Sequence, residues 1–284
     1  MTIKMPAKIN LYLRILNRRE DGYHNLHTLM QSISLYDTIT IDITLPPCAK
    51  GDVAAATEDF IQIECTDPNI PTDERNLAYK AAELFYEKAQ IKNKGLKIHI
   101  DKQIPVEAGL GGGSADAAGV LLLLNTVNDN HFTAWELAEI GAEIGSDVPF
   151  FIYSGTVLCE GRGEIVTPMP PIGKCNVLIV KPDGGLSSKE IYRLYNENAG
   201  DACSQSNISD NDLEKAAVNL MPCIGEIKNR LTEYGALQAA MSGSGSAVFG
   251  IFKDESAADK AYKFFKEKYK NVYLTHTENK WRIM

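Results

Sequence analysis

The sequence has no apolar stretch long enough to cross a membrane. Its longest strongly apolar run, residues 117–124, covers 8 residues, against the roughly 18–20 that a spanning helix needs. It has no C-x-x-C pair either. The six cysteines (Cys48, Cys65, Cys159, Cys175, Cys203 and Cys223) are scattered along 284 residues. That spacing speaks against a zinc site, and a chain of this length buries enough core to need no disulfide framework. Free, structural thiols are expected. Positive charge is also short: 29 Lys plus Arg against 37 Asp plus Glu leave a net charge of −8. Such a chain has no long-range attraction to nucleic acid or anionic lipid, so any phosphate must be held by local donors. The opening residues lack the apolar core of a signal peptide. A soluble, cytoplasmic protein is expected, with no nucleic-acid or membrane partner.

Apolar residues make up 44% and charged residues 23%, close to the globular average. The length suits about two domains or one large one. Ile33, Leu35, Ile39, Ile41 and Ile43 alternate, interrupted by Asp37, which predicts a half-buried strand. A turn-rich loop or hairpin connection is expected over 46–59. A helix follows over 76–90, then a strand over 96–100 that runs into Pro105 and a glycine cluster. Ser114 is expected to open an Ala/Leu-rich helix to about Asn125. Thr133 and Glu136 form a capping box for the next helix, which stops at Gly145. Later strands are expected over 156–166, 176–180 and 246–252, with a polar surface loop at 198–211. Helices are expected near 211–220 and 222–234, with a last one around residues 257–269. The mixture lacks a strict βαβ rhythm. It reads as α+β with two lobes, residues 1–155 and 156–284, meeting near 155.

The strongest chemical signal is residues 105–116, PVEAGLGGGSAD, with four glycines in five positions before a strong helix. Glycines let backbone approach a ligand, and the free N–H groups of the following helix point at an anion. The segment is neither G-x-x-x-x-G-K-[ST] nor G-x-G-x-x-G. The plain alternative is a flexible turn capped by Ser114. A second Gly/Ser loop, residues 241–246, is weak alone and gains interest from the first. Asp147, two residues before Pro149, reads equally as a helix cap. Lys8 is a cation within an apolar run, where a lone Lys ordinarily extends to solvent. His24 and His27 follow a polar turn and lack a visible third metal ligand.

Taken in order, PAKINLYL, RREDGYHNLHTLMQSISLYD, PVEAGLGGGSADAAG, IGSDVPFFIYSG, EGRGE and SGSGSAVFG make the chain resemble the GHMP kinase superfamily from residue 5 to about 252. DGYHNL with GSDVPFF is similar to the 4-diphosphocytidyl-2-C-methyl-D-erythritol kinase family within it. The resemblance implies a two-lobed kinase with its active site in the cleft. That kinase uses ATP and Mg²⁺ to phosphorylate the 2-hydroxyl of a cytidyl-diphosphate substrate in non-mevalonate isoprenoid biosynthesis. It further implies an ATP loop of Pro105, Val106, Glu107, Ala108, Gly109, Leu110, Gly111, Gly112, Gly113, Ser114 and Ala115, with Ser114 placing Mg²⁺. Asp147 becomes the general base and Lys8 its catalytic partner. Asn10, Tyr23 and His24 become substrate contacts, and Tyr192 a second aromatic on cytosine. The chain departs from the family's pattern at residues 184–188, GGLSS in place of G-V-S-T, and at Ala115, where a second Ser is common. A monomer or weak homodimer is expected. Open alternatives are a GHMP-type kinase for homoserine, mevalonate or a sugar, a non-catalytic ligand sensor, and an RNA-binding protein, the last disfavoured by the acidic charge.

Overall fold

The computed structural model describes residues 1–43, 60–93, 95–198, 211–280 and 282–283. Two long strands organise it. β1 (Thr2–Arg18) and β2 (His24–Ile43) pair antiparallel across a turn in which Gly22 takes a positive φ of 88°. The register shifts between Pro6 and Ala7, between Asn10 and Tyr12, and between Ile15 and Asn17. Proline offers no N–H to a ladder, so an irregularity beside Pro6 costs little.

β3 (Ile61–Cys65), α1 (Leu77–Ala89) and β4 (Leu96–Asp101) follow. Then come α2 (Gly112–Val127), α3 (Ala134–Ile144) and α4 (Val148–Tyr153). A hairpin, β5 (Thr156–Gly161) and β6 (Ile165–Pro168), closes this half. The second half holds β7 (Asn176–Lys181), α5 (Ser188–Asn198), α6 (Glu214–Leu220) and α7 (Cys223–Glu233). It ends with β8 (Gln238–Met241), β9 (Val248–Phe252), α8 (Glu255–Lys266), β10 (Asn271–His276) and β11 (Arg282–Ile283).

The first sheet runs β11–β1–β2–β4–β3, with β5 pairing the early half of β2 and β6 outside it. The second runs β10–β7–β9–β8. The helix caps follow the sequence closely: Asn76 accepts from the Ala78 N–H, and Thr133 and Glu136 cap each other. Helix α2 is buried from Ala115 to Asn125 and, apart from Asp116 and Asn125, apolar through that stretch, as suits a central helix.

Two expectations change. α2 begins at Gly112, capped by Gly111 at φ 77°, so Ser114 lies inside the first turn and does not open it. Residues 156–166 are not one strand, because Gly161 (φ 68°) and Gly163 (φ 113°) turn the chain into the β5–β6 hairpin. β5 and β6 extend the first sheet past residue 155, β7 opens the second sheet, and β11 returns to the edge of the first. The expected loops at 46–59 and 198–211 lie outside the described residues, apart from Asn198 and Asn211. No described helix is long and apolar enough to cross a membrane.

One core lies between the first sheet and α1–α4 and takes in Val177, Ile179, Phe249 and Ile251 of the second sheet. The other gathers α6, α7 and α8 on the second sheet, and it includes Leu13 and Leu26 from the long hairpin. The hairpin therefore belongs to both cores, and a cleft of about 1050 Å³ opens along it.

Candidate active site

Lys8 projects from β1 and is 3% exposed, so it does not extend to solvent. Its Nζ donates to Asn10 Oδ1 at 2.7 Å and stands 3.6 Å from Asp147 Oδ2. Asn10 is fully buried and donates from Nδ2 to Thr28 Oγ1, which donates to the Tyr12 carbonyl. Its amide thus holds Lys8 as well as lining the cleft. Asp147 precedes α4, yet its side chain makes no capping hydrogen bond. The capping reading therefore fails, and the carboxylate is left facing Lys8. Gly163 of the β5–β6 turn packs behind it, where a Cβ would lie 3.7 Å from Ser146 and 3.9 Å from Asp147 Oδ1.

The glycine loop meets the cleft through its backbone. Ala108, Leu110 and Ala115 are buried in the core, so the methyl of Ala115 replaces no hydroxyl on the open side. Leu110 accepts from the Lys8 N–H at 3.0 Å, which ties the loop to β1. Gly109 (φ 71°) touches the second Gly/Ser loop so closely that a Cβ would run into the Ser242 carbonyl oxygen. Ser242 Oγ donates to the Gly109 carbonyl, Ser246 N–H to Glu107 and Ala247 N–H to Ala108. The two loops are thus hydrogen-bonded to each other. Asn211 holds the second, donating to the Met241 and Gly243 carbonyls. At the start of α2, no side chain caps the helix, and the first three N–H groups have no intrahelical acceptor. Gly113 is exposed, with only Leu77 near a built Cβ, at 3.8 Å. Pro105 and Val106 lie further back, Val106 exposed.

The aromatic residues gather at the other end. Tyr23 is 55% exposed, and the Arg162 guanidinium lies over its ring, 5.2 Å from the centroid. His24 is buried and stacks on Tyr192 at 5.2 Å and 20°. Its Nε2 lies 2.8 Å from Asn196 Oδ1. Burial, reinforced by the Asp147 charge, pushes the Tyr192 phenol up. In this acidic chain the cleft is lined by Lys8, Arg18, Arg162, Lys189 and Arg193 against Glu107 and Asp147. A polyanion is therefore favoured here locally.

The sequence reading missed a buried triad beside the glycine loop. Lys102 Nζ donates to Asp37 and, at 2.9 Å, to Asp116 Oδ2. Asp37 also accepts the N–H groups of Gln103 and Ile104. Asp116 Oδ1 is buried without a partner, and burial pushes its carboxyl up to about 8 despite Lys102. Burial alone would lower Lys102, but Asp116 and Asp37 outweigh it and hold it up. The trace in the sequence is Asp37 itself, a charge on an apolar alternation. Arg162, Asn196 and Asn211 left no comparable trace.

Residues 76–155 match the GHMP kinases N terminal domain, and residues 189–271 match the GHMP kinases C terminal domain. A 4-diphosphocytidyl-2-C-methyl-D-erythritol kinase of Clostridium botulinum (strain Alaska E43 / Type E3) is 41% identical, over 98% of this chain and 100% of that one. The kinase of the same name from Clostridium tetani (strain Massachusetts / E88) is 40% identical at the same coverage. A crystal structure of a 4-(cytidine 5'-diphospho)-2C-methyl-D-erythritol kinase superposes with a TM-score of 0.77 at 29% identity, covering 98% of this chain and 99% of that one. The homoserine kinase of Cytophaga hutchinsonii shares the fold alone, with a TM-score of 0.74 at 18% identity over 100% and 97% of the two chains.

Proposed function

The chain belongs to the 4-diphosphocytidyl-2-C-methyl-D-erythritol kinases of the GHMP kinase superfamily, and from that membership we propose how its own residues carry out the reaction. The enzyme is an ATP-dependent small-molecule kinase. It phosphorylates the 2-hydroxyl of 4-diphosphocytidyl-2-C-methyl-D-erythritol, giving the 2-phosphate and ADP, in isoprenoid precursor biosynthesis.

The observation that carries the site assignment is the meeting of Lys8 and Asp147 in a cleft with a glycine loop at one end and aromatics at the other. A separation of 3.6 Å lets one hydroxyl oxygen hydrogen-bond to both groups. Asp147 accepts the hydroxyl proton, and Lys8, fixed by Asn10, favours the negative charge developing on the oxygen. In a largely dissociative transition state the hydroxyl proton moves late, so much of the contribution of Asp147 is alignment.

The open N–H groups at the start of α2 suit the phosphates of ATP. The Ser114 hydroxyl lines the same cleft and is the protein ligand that would hold Mg²⁺. Mg²⁺ keeps several waters and takes phosphate oxygens, so a single protein hydroxyl beside the phosphates suits it. When bound, it neutralises charge on the transferring phosphoryl group. Tyr23, His24 and Tyr192 receive the cytosine.

A coupled ADP-release assay tests the reading by comparing the cytidyl substrate with homoserine and mevalonate. Phosphorylation of the cytidyl compound alone is the expected result. Turnover of homoserine or mevalonate at a comparable rate would replace it with another GHMP activity.

A further inference from the structure

Along α5, Tyr192 and Asn196 are four residues apart, so they share one helix face. Both meet His24: Tyr192 stacks on the ring, and Asn196 Oδ1 lies 2.8 Å from Nε2. An amide oxygen only accepts, so Nε2 carries the proton. In a neutral imidazole the other nitrogen, Nδ1, is then bare and able to accept. No partner occupies Nδ1 among the described residues, and His24 lines the cleft.

Resting on the cytosine-site reading above, we propose that Asn196 is a specificity-determining positioning residue that holds His24 as the Nε2–H tautomer, so that Nδ1 accepts from the 4-amino group of cytosine. Cytosine presents an N–H donor at ring position 4, whereas uracil presents a carbonyl oxygen there. A bare Nδ1 pairs with the first and faces the second lone pair to lone pair. Without a fixed tautomer the imidazole can turn a donor to either base, and the distinction weakens. Tyr192 holds the ring plane while Asn196 sets the proton, so one helix face supplies both.

Three proteins test this: wild type, Asn196→Leu, which removes the acceptor at similar volume, and Asn196→Gln, which keeps a neutral amide acceptor. Each is assayed on the cytidyl substrate and on its uridyl analogue, with KM for ATP as the control for an intact fold. Wild type and Asn196→Gln are expected to prefer the cytidyl compound. In Asn196→Leu the ratio of the two kcat/KM values falls by about tenfold or more, the scale of one unpaired buried hydrogen-bonding group. In parallel, ¹⁵N NMR of histidine-labelled wild type, with His24→Gln for assignment, reads the tautomer directly. A protonated Nε2 and bare Nδ1 in the free protein support the proposal. A protonated Nδ1, or an unchanged ratio in folded Asn196→Leu, overturns it. Failure of wild type to phosphorylate the cytidyl substrate would instead remove the function reading, with the tautomer still judged by NMR.

Discussion

Lys8 Nζ lies nearer to Asn10 Oδ1, at 2.7 Å, than to Asp147 Oδ2, at 3.6 Å. The ammonium is therefore anchored within β1, and its approach to the carboxylate is left loose enough to admit a third group.

Asp147→Asn keeps the shape and removes the proton acceptor. Because Asp147 caps nothing through its side chain, stability should change by only a few tenths of a kcal/mol, about the scale of a surface substitution. Turnover should fall by about 10²–10⁴ with both KM values near wild type. Lys8→Met should also lose turnover, and the double variant should cost much less than the product of the two losses. Normal turnover in folded Asp147→Asn would falsify the assignment.

The glycines divide into two kinds. A Cβ at Gly111 would press on the Phe151 ring at 2.7 Å, and one at Gly112 on Lys102 Nζ at 2.7 Å. Gly109→Ala meets backbone at a positive φ and should destabilise by about 1–3 kcal/mol or more, read as a lowered urea midpoint. Gly113→Val meets almost nothing in the protein. It should leave the midpoint near wild type while raising KM for ATP. Unchanged ATP affinity would take the start of α2 out of the nucleotide site.

Tyr23 is exposed enough for its removal to leave the fold intact. Tyr23→Ala and Tyr192→Ala should each weaken the cytidyl substrate by about 1–3 kcal/mol, the usual worth of a base–aromatic stack. Calorimetric titration with the cytidyl substrate and with ATP separates the cases, since equal losses for both ligands would point to a general structural effect.

Asp116 gives stability a pH dependence of definite sign. Its carboxyl is pushed up to about 8 by burial, whereas an unfolded chain loses that proton near pH 4. Across that window the folded state binds more protons, so this group's contribution makes stability fall as pH rises. Asp116→Asn removes the titration. The variant should therefore gain on wild type in urea midpoint from pH 5 to pH 8, and parallel curves would show that Asp116 is ionised throughout.

Local structure was largely legible in the sequence. The helix start near Asn76, the cap at Thr133, the stop at Gly145 and the glycine loop all depend on a few neighbouring residues. What resisted reading depends on distant parts of the chain. Spacing gives no hint that Lys8 meets Asp147, or that Asn196 reaches His24; the resemblance supplied the first and nothing supplied the second. The β5–β6 hairpin was hidden because residues 156–166 read as one strand, while the glycines that break it look ordinary until their φ values are known. Asp37 was visible as an interruption, but its partners Lys102 and Asp116 lie on other elements.

The long hairpin also acts as a ruler. Met30 stands opposite Asn10, and His24 follows on the same strand six residues away, which at about 3.3 Å per residue is roughly 20 Å. On the proposed site assignment, one continuous strand sets the span between the phosphoryl-acceptor end of the cleft and the base-reading end. A small alcohol would occupy one end without reaching the other, whereas a nucleoside diphosphate ester has the length to reach both. On that assignment, selection by reach is written into strand length before any side chain contacts the base. Inserting two residues in both strands between these points would move the ends apart by about 7 Å and leave each half intact but out of step with the molecule it measures.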